Sequence, residues 1–290
     1  MSAATYGTYG ASPTRRTKAE IEAIKAAILE ALLDQHPATV RGLFYQLVSR
    51  GVIAKTEGEY RSTVCRLTAD MRRHGELPYA WLADNTRWMR KSRSWSSLED
   101  ALAETAEFYR RALWAEQDAY VEVWLEKDAL AGVILDVTCE YDVPLMVTRG
   151  YASLSFLYSA AEAIAAQDKP VFLYYLGDHD PSGVDIPRKV EAELRRLAPG
   201  ADLFFSRLAV LPEQIVDLDL PTRPTKKTDS RSKRFVGESV EVDAIPPRKL
   251  RDVVKRAIER HIDFERLEAL EEIEAQERAT LSGIAERWQP

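Results

Sequence analysis

Two apolar, strand-like runs that each lead into acidic residues constrain the fold of this chain most. Tyr120–Leu125 is followed by Glu126, and Val171–Leu176 is followed by a turn that contains Asp178 and Asp180. From the first run onward, strand-like segments alternate with helical patterns, which is the order of elements that builds a parallel sheet. Ligands of open parallel sheets bind at the carboxyl ends of the strands. The three carboxylates are therefore expected at a functional edge.

The alternation predicts an α/β fold with further strands and helices along the chain. Additional strands are expected at Leu145–Thr148 and Leu203–Leu208. Helices are expected over Leu98–Ala119, after Lys127, over Ser153–Ala166 and after Gly183. A parallel sheet with helices on its faces follows from this order.

The acidic residues predict a magnesium site, with Mn²⁺ as a possible substitute. Glu126, Asp178 and Asp180 offer only oxygen ligands, and Mg²⁺ prefers a few carboxylate oxygens together with waters or substrate phosphates. The four histidines have no ligand spacing, so a zinc site is not expected. The alternative for Asp178 and Asp180 is that they cap a helix or a turn, because Asp before Gly or Pro is common turn chemistry.

The amino-terminal part has the pattern of a winged helix-turn-helix. Thr17 begins a capping box, Thr39 precedes a second helix that stops at Gly51, and a third helix is expected over about Tyr60–His74. Leu77–Leu82 could supply a strand or wing. Three short helices and a wing fit this DNA-binding architecture.

Helical phasing sets Tyr45 apart on the second helix. The apolar stripe of that helix comprises Val40, Leu43, Phe44, Leu47 and Val48. Tyr45 lies off this stripe beside Arg41, its neighbour one turn earlier. The phasing predicts that Tyr45 reaches solvent, and the guanidinium would favour its phenolate. A tyrosine on an ordinary DNA-binding surface is the alternative.

Several short segments resemble one enzyme family. A strand that ends in Glu126-Lys127 and a later strand followed by Asp178-His-Asp-Pro-Ser-Gly183 look like a Toprim domain. Val123–Asp128, Arg149–Tyr151 and Asp178–Ile186 are similar to the Toprim of the topoisomerase VI A subunit and the meiotic double-strand-break transesterase. Val40–Val48 is similar to the family's nucleophile segment, and Val240–Ile245 resembles its carboxyl-terminal part.

The resemblance implies a magnesium-dependent transesterase that cleaves double-stranded DNA. Tyr45 falls on the nucleophile and becomes joined to the DNA 5′ end, with Arg41 and Glu126 as further catalytic residues. Two protomers cooperate in this family, so a homodimer is expected. The chain has no phosphate-loop motif, so an ATPase of a topoisomerase would be a separate subunit.

Composition limits the partners and the compartment. The formal net charge of −6 argues mildly against nucleic acid, but the acidic excess is concentrated in Asp263–Glu286. Basic residues cluster in two other segments, one in the predicted winged helix and one that contains Lys226–Arg234. The later segment could also be a solvated charge run. The predicted DNA contacts are Arg61, Arg66, Arg72, Arg73, Lys226, Lys227, Arg231, Lys233 and Arg234.

No apolar run approaches the roughly 20 residues that span a bilayer, and Met1–Arg16 lacks the apolar stretch of a signal peptide. With only Cys65 and Cys139, a disulfide framework is not expected. These features predict a cytoplasmic protein without membrane contact, which would be nucleoid-associated in a bacterium or archaeon.

The predicted organisation has five parts, and two other functions stay open. The parts are a flexible tail (1–16), a winged helix (17–93), a linker with a connecting helix (94–119), a Toprim domain (120–210) and a carboxyl-terminal extension with a basic loop and acidic helices (211–290). One alternative is a Toprim nuclease that hydrolyses DNA with metal-bound water. The other is a non-catalytic winged-helix DNA-binding protein.

Overall fold

The computed structural model describes residues 16–83, 92–224, 235 and 237–287. Its centre is a sheet of four parallel strands in the order β2-β1-β3-β4. The strands are β1 (Tyr120–Leu125), β2 (Leu145–Val147), β3 (Val171–Leu176) and β4 (Leu203–Ala209). The predicted α/β fold, its parallel sheet and the location of the four strands are therefore confirmed.

Helices cover both faces of the sheet because side chains alternate along each buried strand. On one face, Trp124 and Tyr175 pack with α7 (Leu154–Ala165) and α8 (Pro181–Leu197). On the other face, the intervening strand residues pack with α6 (Ala131–Glu140). The alternation of strands and helices in the sequence thus gives a three-layered arrangement.

The amino-terminal part begins with α1 (Lys18–Leu33) and α2 (Val40–Ser49). A third helical segment, Glu57–Arg73, consists of α3 (Glu57–Glu59), a π turn (Tyr60–Cys65) and α4 (Arg66–Arg73). Thr17 and Thr39 cap the first two helices as the sequence predicts. Residues 1–15 of the predicted tail lie outside the described residues, and Arg16 forms an ion pair with Glu59 at 2.8 Å.

Of the two predicted possibilities for Leu77–Leu82, a strand or a wing, the strand is wrong. Pro78 precedes a 3-10 turn at Tyr79–Trp81, and Leu82 makes only an isolated bridge with Ala38. Trp81 stacks on His36 with 4.6 Å between ring centroids, so the turn packs against the segment that follows α1. Residues 84–91 lie outside the described part, so the winged-helix assignment stays a prediction.

The predicted helix over Leu98–Ala119 is also too long. Helix α5 spans Leu98–Phe108, and the chain then becomes extended at Tyr109. The backbone beyond this point bonds to a later helix. The Arg111 amide donates to Glu274 Oε2 at 2.8 Å, and Arg278 Nε donates to the Tyr109 carbonyl at 2.7 Å. Long-range partners replace the hydrogen bonds that would continue the helix.

The carboxyl-terminal part contains α9 (Pro212–Asp217), α10 (Pro247–Glu259) and α11 (Phe264–Arg287). Helix α10 packs on α6, and α11 packs on α5. One hydrophobic cluster includes Leu43 of α2, Val123 of β1 and Val254 of α10, so it joins the first and last parts of the chain to the sheet. Within the described ranges, no helix is both long and apolar enough to cross a membrane.

Candidate active site

Glu126 and Asp178 meet at the carboxyl edge of the sheet, as the sequence predicts. Leu125 of β1 pairs with Leu176 of β3, so the residues that follow these strands are neighbours. The Asp178 amide donates to Glu126 Oε2 at 3.0 Å. Parallel pairing in register therefore brings together two acids that are 52 residues apart in the chain.

The turn after β3 depends on two close approaches. A Cβ at Gly177 would lie 2.5 Å from Glu126 Oε2, and a Cβ at Gly183 would lie 2.0 Å from the Asp178 carbonyl oxygen. Arg207 of β4 donates from Nη2 to the Gly177 carbonyl and from Nη1 to the Gly183 carbonyl, each at 3.0 Å. These contacts hold the acidic turn in place, and a side chain at either glycine would displace it.

Asp180 caps α8, which is the structural alternative considered from the sequence. Its Oδ1 accepts the amides of Ser182 at 3.0 Å and Gly183 at 2.7 Å. An aspartate at a helix N-cap satisfies amides that have no partner within the helix. Its Oδ2 lies 3.9 Å from Arg223 Nη2. The cap fixes the position of Asp180 beside the other two acids and does not preclude a second role.

The negative charge of the Glu126 carboxylate is poorly balanced by its surroundings. Burial raises its pKa to about 7, and the negative charges of Asp178 and Asp180 act in the same direction. Burial also raises the pKa of Asp178, although the ammonium of Lys127 opposes this effect. Carboxylates that lie close together in a partly buried site resist ionisation unless a cation offsets their charges. A bound cation would therefore stabilise the ionised carboxylates at this edge of the sheet.

The oxygen ligands suit a hard divalent cation, but they are not preassembled around one. One oxygen of each carboxylate already accepts a backbone amide. Glu126 Oε2 accepts the Asp178 amide, Asp180 Oδ1 accepts the Ser182 amide, and Asp178 Oδ1 accepts the Val242 amide at 2.9 Å. Among the residues that the structure describes, no three acidic, histidine or cysteine side chains are arranged to hold a metal ion. A cation at this edge would have to draw the carboxylates together.

A charged cluster lies next to the three acids and comprises Arg41, Lys127, Arg223, Glu241 and Asp243. Lys127 Nζ lies 2.9 Å from Asp178 Oδ1, 3.0 Å from Asp243 Oδ2 and 3.4 Å from Glu241 Oε2. Burial alone would lower the Lys127 pKa, but these carboxylates raise it well above its usual range. Lys127 is thus a fixed cation that links the acidic turn to the 239–245 segment.

Glu241 connects the cluster to helix α2. Arg41 donates to both of its oxygens, from Nε to Oε2 at 3.2 Å and from Nη2 to Oε1 at 3.3 Å. Arg223 Nη1 donates to Oε1 at 2.9 Å. Burial disfavours the Glu241 carboxylate, but the charges of Lys127, Arg41 and Arg223 outweigh it and lower the pKa to about 2.

The prediction that Tyr45 reaches solvent is wrong. Its side chain is in the hydrophobic core, and the residue is only 3% exposed. Helix α2 is covered on one side by the amino-terminal helices and on another by the 3-10 turn Val242–Ala244. Helical phasing predicted the side of α2 that packs on the amino-terminal helices. The side that packs on Val242–Ala244 could not be predicted, because its partners lie about 200 positions later in the chain. The hydrogen bond from Thr39 to Asp243, at 2.7 Å, is one such contact.

Tyr45 nevertheless lies beside the charged cluster. The Arg41 guanidinium is 5.8 Å and the Lys55 ammonium 5.6 Å from the centroid of its ring. Burial raises the Tyr45 pKa to about 12, and Glu241 adds to this rise, while Arg41, Arg223 and Lys127 oppose it. The predicted proximity of Arg41 and Tyr45 is confirmed, but the surroundings favour the neutral phenol.

Sequence reasoning missed the roles of Glu241 and Asp243. A signal was present, because Val240-Glu-Val-Asp243 alternates apolar and acidic residues. Such a period of two predicts an extended segment with both acids on one side. In the structure, Val240 and Val242 are buried in the core and both carboxylates bond to cations of the cluster, although Val242–Ala244 form a 3-10 turn and not an extended segment.

The predicted DNA contacts fall into two groups. Arg61, Arg66, Arg72 and Arg73 all lie on the third helical segment. Arg61 pairs with Glu57, and Arg66 and Arg73 pair with Asp70, all within that segment. Arg72 lies over the Tyr79 ring at 5.6 Å. The second group, Lys226, Lys227, Arg231, Lys233 and Arg234, lies outside the described residues.

Comparison with known proteins gives no family for this chain: no family model matches it, and no curated protein matches it.

Proposed function

We propose that this chain is a magnesium-dependent transesterase that cleaves double-stranded DNA. One observation carries the proposal: the charged cluster joins α2, with Arg41 and Tyr45, to the strand-end acids Glu126 and Asp178. A phosphodiester at this junction would meet an arginine and a set of oxygen ligands for a cation, and the buried tyrosine lies next to that arginine. These are the groups that phosphoryl transfer to a tyrosine requires.

The residues of the site take three roles in the proposed reaction: binding the cation, orienting the phosphate and attacking it. Glu126, Asp178 and Asp180 would hold Mg²⁺ or Mn²⁺, which neutralises charge on the scissile phosphate when bound. Arg41 would orient that phosphate with its guanidinium. Tyr45 Oη forms a bond to phosphorus and releases its proton to water, while the bond from phosphorus to the 3′ oxygen breaks and that oxygen takes up a proton from water. The product is a 5′-phosphotyrosyl link and a free 3′ hydroxyl.

Partners follow from the proposed reaction and from the family resemblance. A homodimer would supply two tyrosines for the two strands of one break, and a separate chain would supply any ATPase activity. Arginines of the third helical segment would contact DNA phosphates; they are Arg61, Arg66, Arg72 and Arg73. Such contacts position a duplex without reading its sequence.

The burial of Tyr45 favours a second candidate, a nuclease of the Toprim type. A phenol that is 3% exposed and has a pKa of about 12 is a poor nucleophile as it stands. Hydrolysis by activated water would need the three acids but no tyrosine. The transesterase requires α2 or the 239–245 segment to move and expose the phenol, whereas the nuclease does not.

The Tyr45→Phe variant separates the two reactions. Protein, end-labelled DNA and Mg²⁺ are incubated and quenched with detergent, and label is sought on the protein before and after protease treatment. For the transesterase, we expect adducts in the wild-type protein and none in Tyr45→Phe, because the attacking oxygen is gone.

Tyr60→Phe is the matched control, since Tyr60 also lies against Arg41, which is 4.4 Å from its ring centroid. This control should keep its adducts. Free cut ends in both variants, without label on protein, would instead identify the nuclease. Adducts that persist in Tyr45→Phe and vanish in Tyr60→Phe would move the nucleophile to Tyr60.

A further inference from the structure

The arrangement of cations around Glu241 resembles an anion-binding site in which the anion is part of the chain. Arg41, Lys127 and Arg223 come from three separate segments and converge on one carboxylate. Four donor atoms reach its two oxygens, which uses about all the lone pairs that a carboxylate offers. The Glu241 side chain is 8% exposed, so water contributes little to this arrangement.

The spacing of the donors suits an anion larger than a carboxylate. Three of the four contacts are 3.2–3.4 Å long, and only that from Arg223 is as short as 2.9 Å. Charge-assisted bonds from nitrogen to oxygen are usually about 2.7–2.9 Å. A tetrahedral phosphate has more oxygens and a wider spread of them, and a guanidinium binds it through two parallel bonds.

Other contacts would keep two of the three cations, Arg41 and Lys127, in place without Glu241. Lys127 would retain Asp178 at 2.9 Å and Asp243 at 3.0 Å, and Arg41 would retain Glu57 at 3.1 Å. Asp243 is itself held by Thr39 at 2.7 Å. Removal of Glu241 would therefore leave the donor groups that bind its carboxylate without that partner, while the neighbouring carboxylates keep Arg41 and Lys127 in place.

We propose that Arg41, Lys127 and Arg223 form a phosphate-binding site that the Glu241 carboxylate occupies in this conformation, so that a phosphate group and Glu241 compete. The choice of phosphate as the ligand rests on the proposed function. Glu241 then acts as an internal substitute for a phosphate and keeps the site closed until a phosphate group displaces it.

Calorimetric titration of the full chain with inorganic phosphate, without divalent metal, tests the competition. We expect Glu241→Ala to bind phosphate at least tenfold more tightly than the wild-type protein. Glu238→Ala, which removes an exposed carboxylate of the same segment, should bind like the wild type. The double variant Glu241→Ala/Arg223→Gln should lose the gain, because one of the three cations is missing.

A thermal melt provides a second measurement that also covers impaired folding. Phosphate should raise the melting temperature of Glu241→Ala more than that of Glu238→Ala, because a ligand stabilises the folded state it binds. Equal phosphate affinity in folded Glu241→Ala and wild type would overturn the proposal. A Glu241→Ala chain that stays unfolded in excess phosphate would overturn it too, since phosphate should replace the missing carboxylate.

A short DNA duplex, titrated under the same metal-free conditions, identifies the source of the phosphate. A gain for both ligands in Glu241→Ala assigns the site to phosphodiesters, and a gain for inorganic phosphate alone assigns it to free phosphate. Neither titration involves cleavage. Failure of the phosphate site would therefore leave the adduct experiment unaffected, and failure of cleavage would leave this binding result standing.

Discussion

Glu126 and Glu241 lie at the same end of the molecule, and burial acts against the charge of both. Their neighbours differ in sign. Glu126 faces Asp178, and its pKa is raised to about 7. Glu241 faces Lys127, Arg41 and Arg223, and its pKa is lowered to about 2. The two glutamates therefore suit partners of opposite charge: cations outweigh burial at Glu241, whereas at Glu126 the neighbouring carboxylates add to the effect of burial.

Asp178 connects the two regions. Its Oδ1 lies 2.9 Å from Lys127, which belongs to the charged cluster, while its amide donates to Glu126. A cation added beside Glu126 and an anion added in place of Glu241 would therefore affect each other through Asp178 and Lys127. A phosphate bound together with a divalent cation would satisfy both regions, and this combination is what the proposed reaction requires.

The largest expected effect comes from removal of Lys127, the cation that links the two regions. Lys127→Ala leaves Asp178, Glu241 and Asp243 without their shared ammonium. Breaking a buried charge arrangement by removing one partner costs about 3–5 kcal/mol. We expect a loss of this size in the free energy of unfolding, measured by urea denaturation.

Lys255→Ala is the matched control for this substitution. Lys255 is 42% exposed and pairs with Glu140 at 3.0 Å, so its removal should cost at most about 1 kcal/mol. Equal losses for the two variants would mean that the cluster around Lys127 is as well solvated as a surface pair, and the contrast between the two regions would then disappear.

A smaller effect is expected from Glu241 at acidic pH. Its pKa is lowered on folding from 4.5 to about 2, so the unfolded chain binds more protons between these values. The stabilisation is fully present above about pH 4.5 and is lost as the pH falls through 2. Glu241→Gln should lack this contribution, which is on the order of 2 kcal/mol.

Denaturation curves of wild type and Glu241→Gln over this acidic range measure the contribution. The difference in stability should be constant above pH 4.5 and shrink below it. Glu238→Gln removes an exposed carboxylate from the same segment and serves as the control. A difference of the same shape in this control would assign the effect to overall charge and not to the cluster.

The two regions also differ in how far they could be predicted from the sequence. The strands, their parallel order and the meeting of Glu126 with Asp178 follow from local apolar runs and from the rule that parallel strands end at one edge. The convergence of Arg41, Lys127 and Arg223 on Glu241 could not be obtained in this way. Its contacts join residues up to 200 positions apart, and periodicity carries no information about such pairs.

Tyr45 shows the same limit within a single helix. Phasing placed Tyr45 off the apolar stripe because a helix on a surface has one buried side. Helix α2 has a second buried side against the Val242–Ala244 turn. The helix after Leu98 ended early for a related reason, since Glu274 and Arg278 of α11 bind the backbone that follows Phe108.

The smallest expected effect comes from Glu126 and has the opposite sign to that of Glu241. Its pKa is raised on folding from 4.5 to about 7, so the folded chain binds more protons between these values. Stability therefore falls as the pH rises from about 4.5 to 7. Because Glu126 is partly exposed, solvent screening reduces this contribution to on the order of 1 kcal/mol.

Glu126→Gln should remove this decline, and Mg²⁺ should offset it in the wild-type protein only. A cation bound by ionised carboxylates stabilises the folded chain most at the higher pH, where protons no longer compete. Thermal melts at several pH values, with and without Mg²⁺, measure both effects. An equal response to Mg²⁺ in Glu126→Gln and wild type would remove Glu126 from the proposed metal ligands, and the contrast with Glu241 would then reflect burial and Asp178 alone.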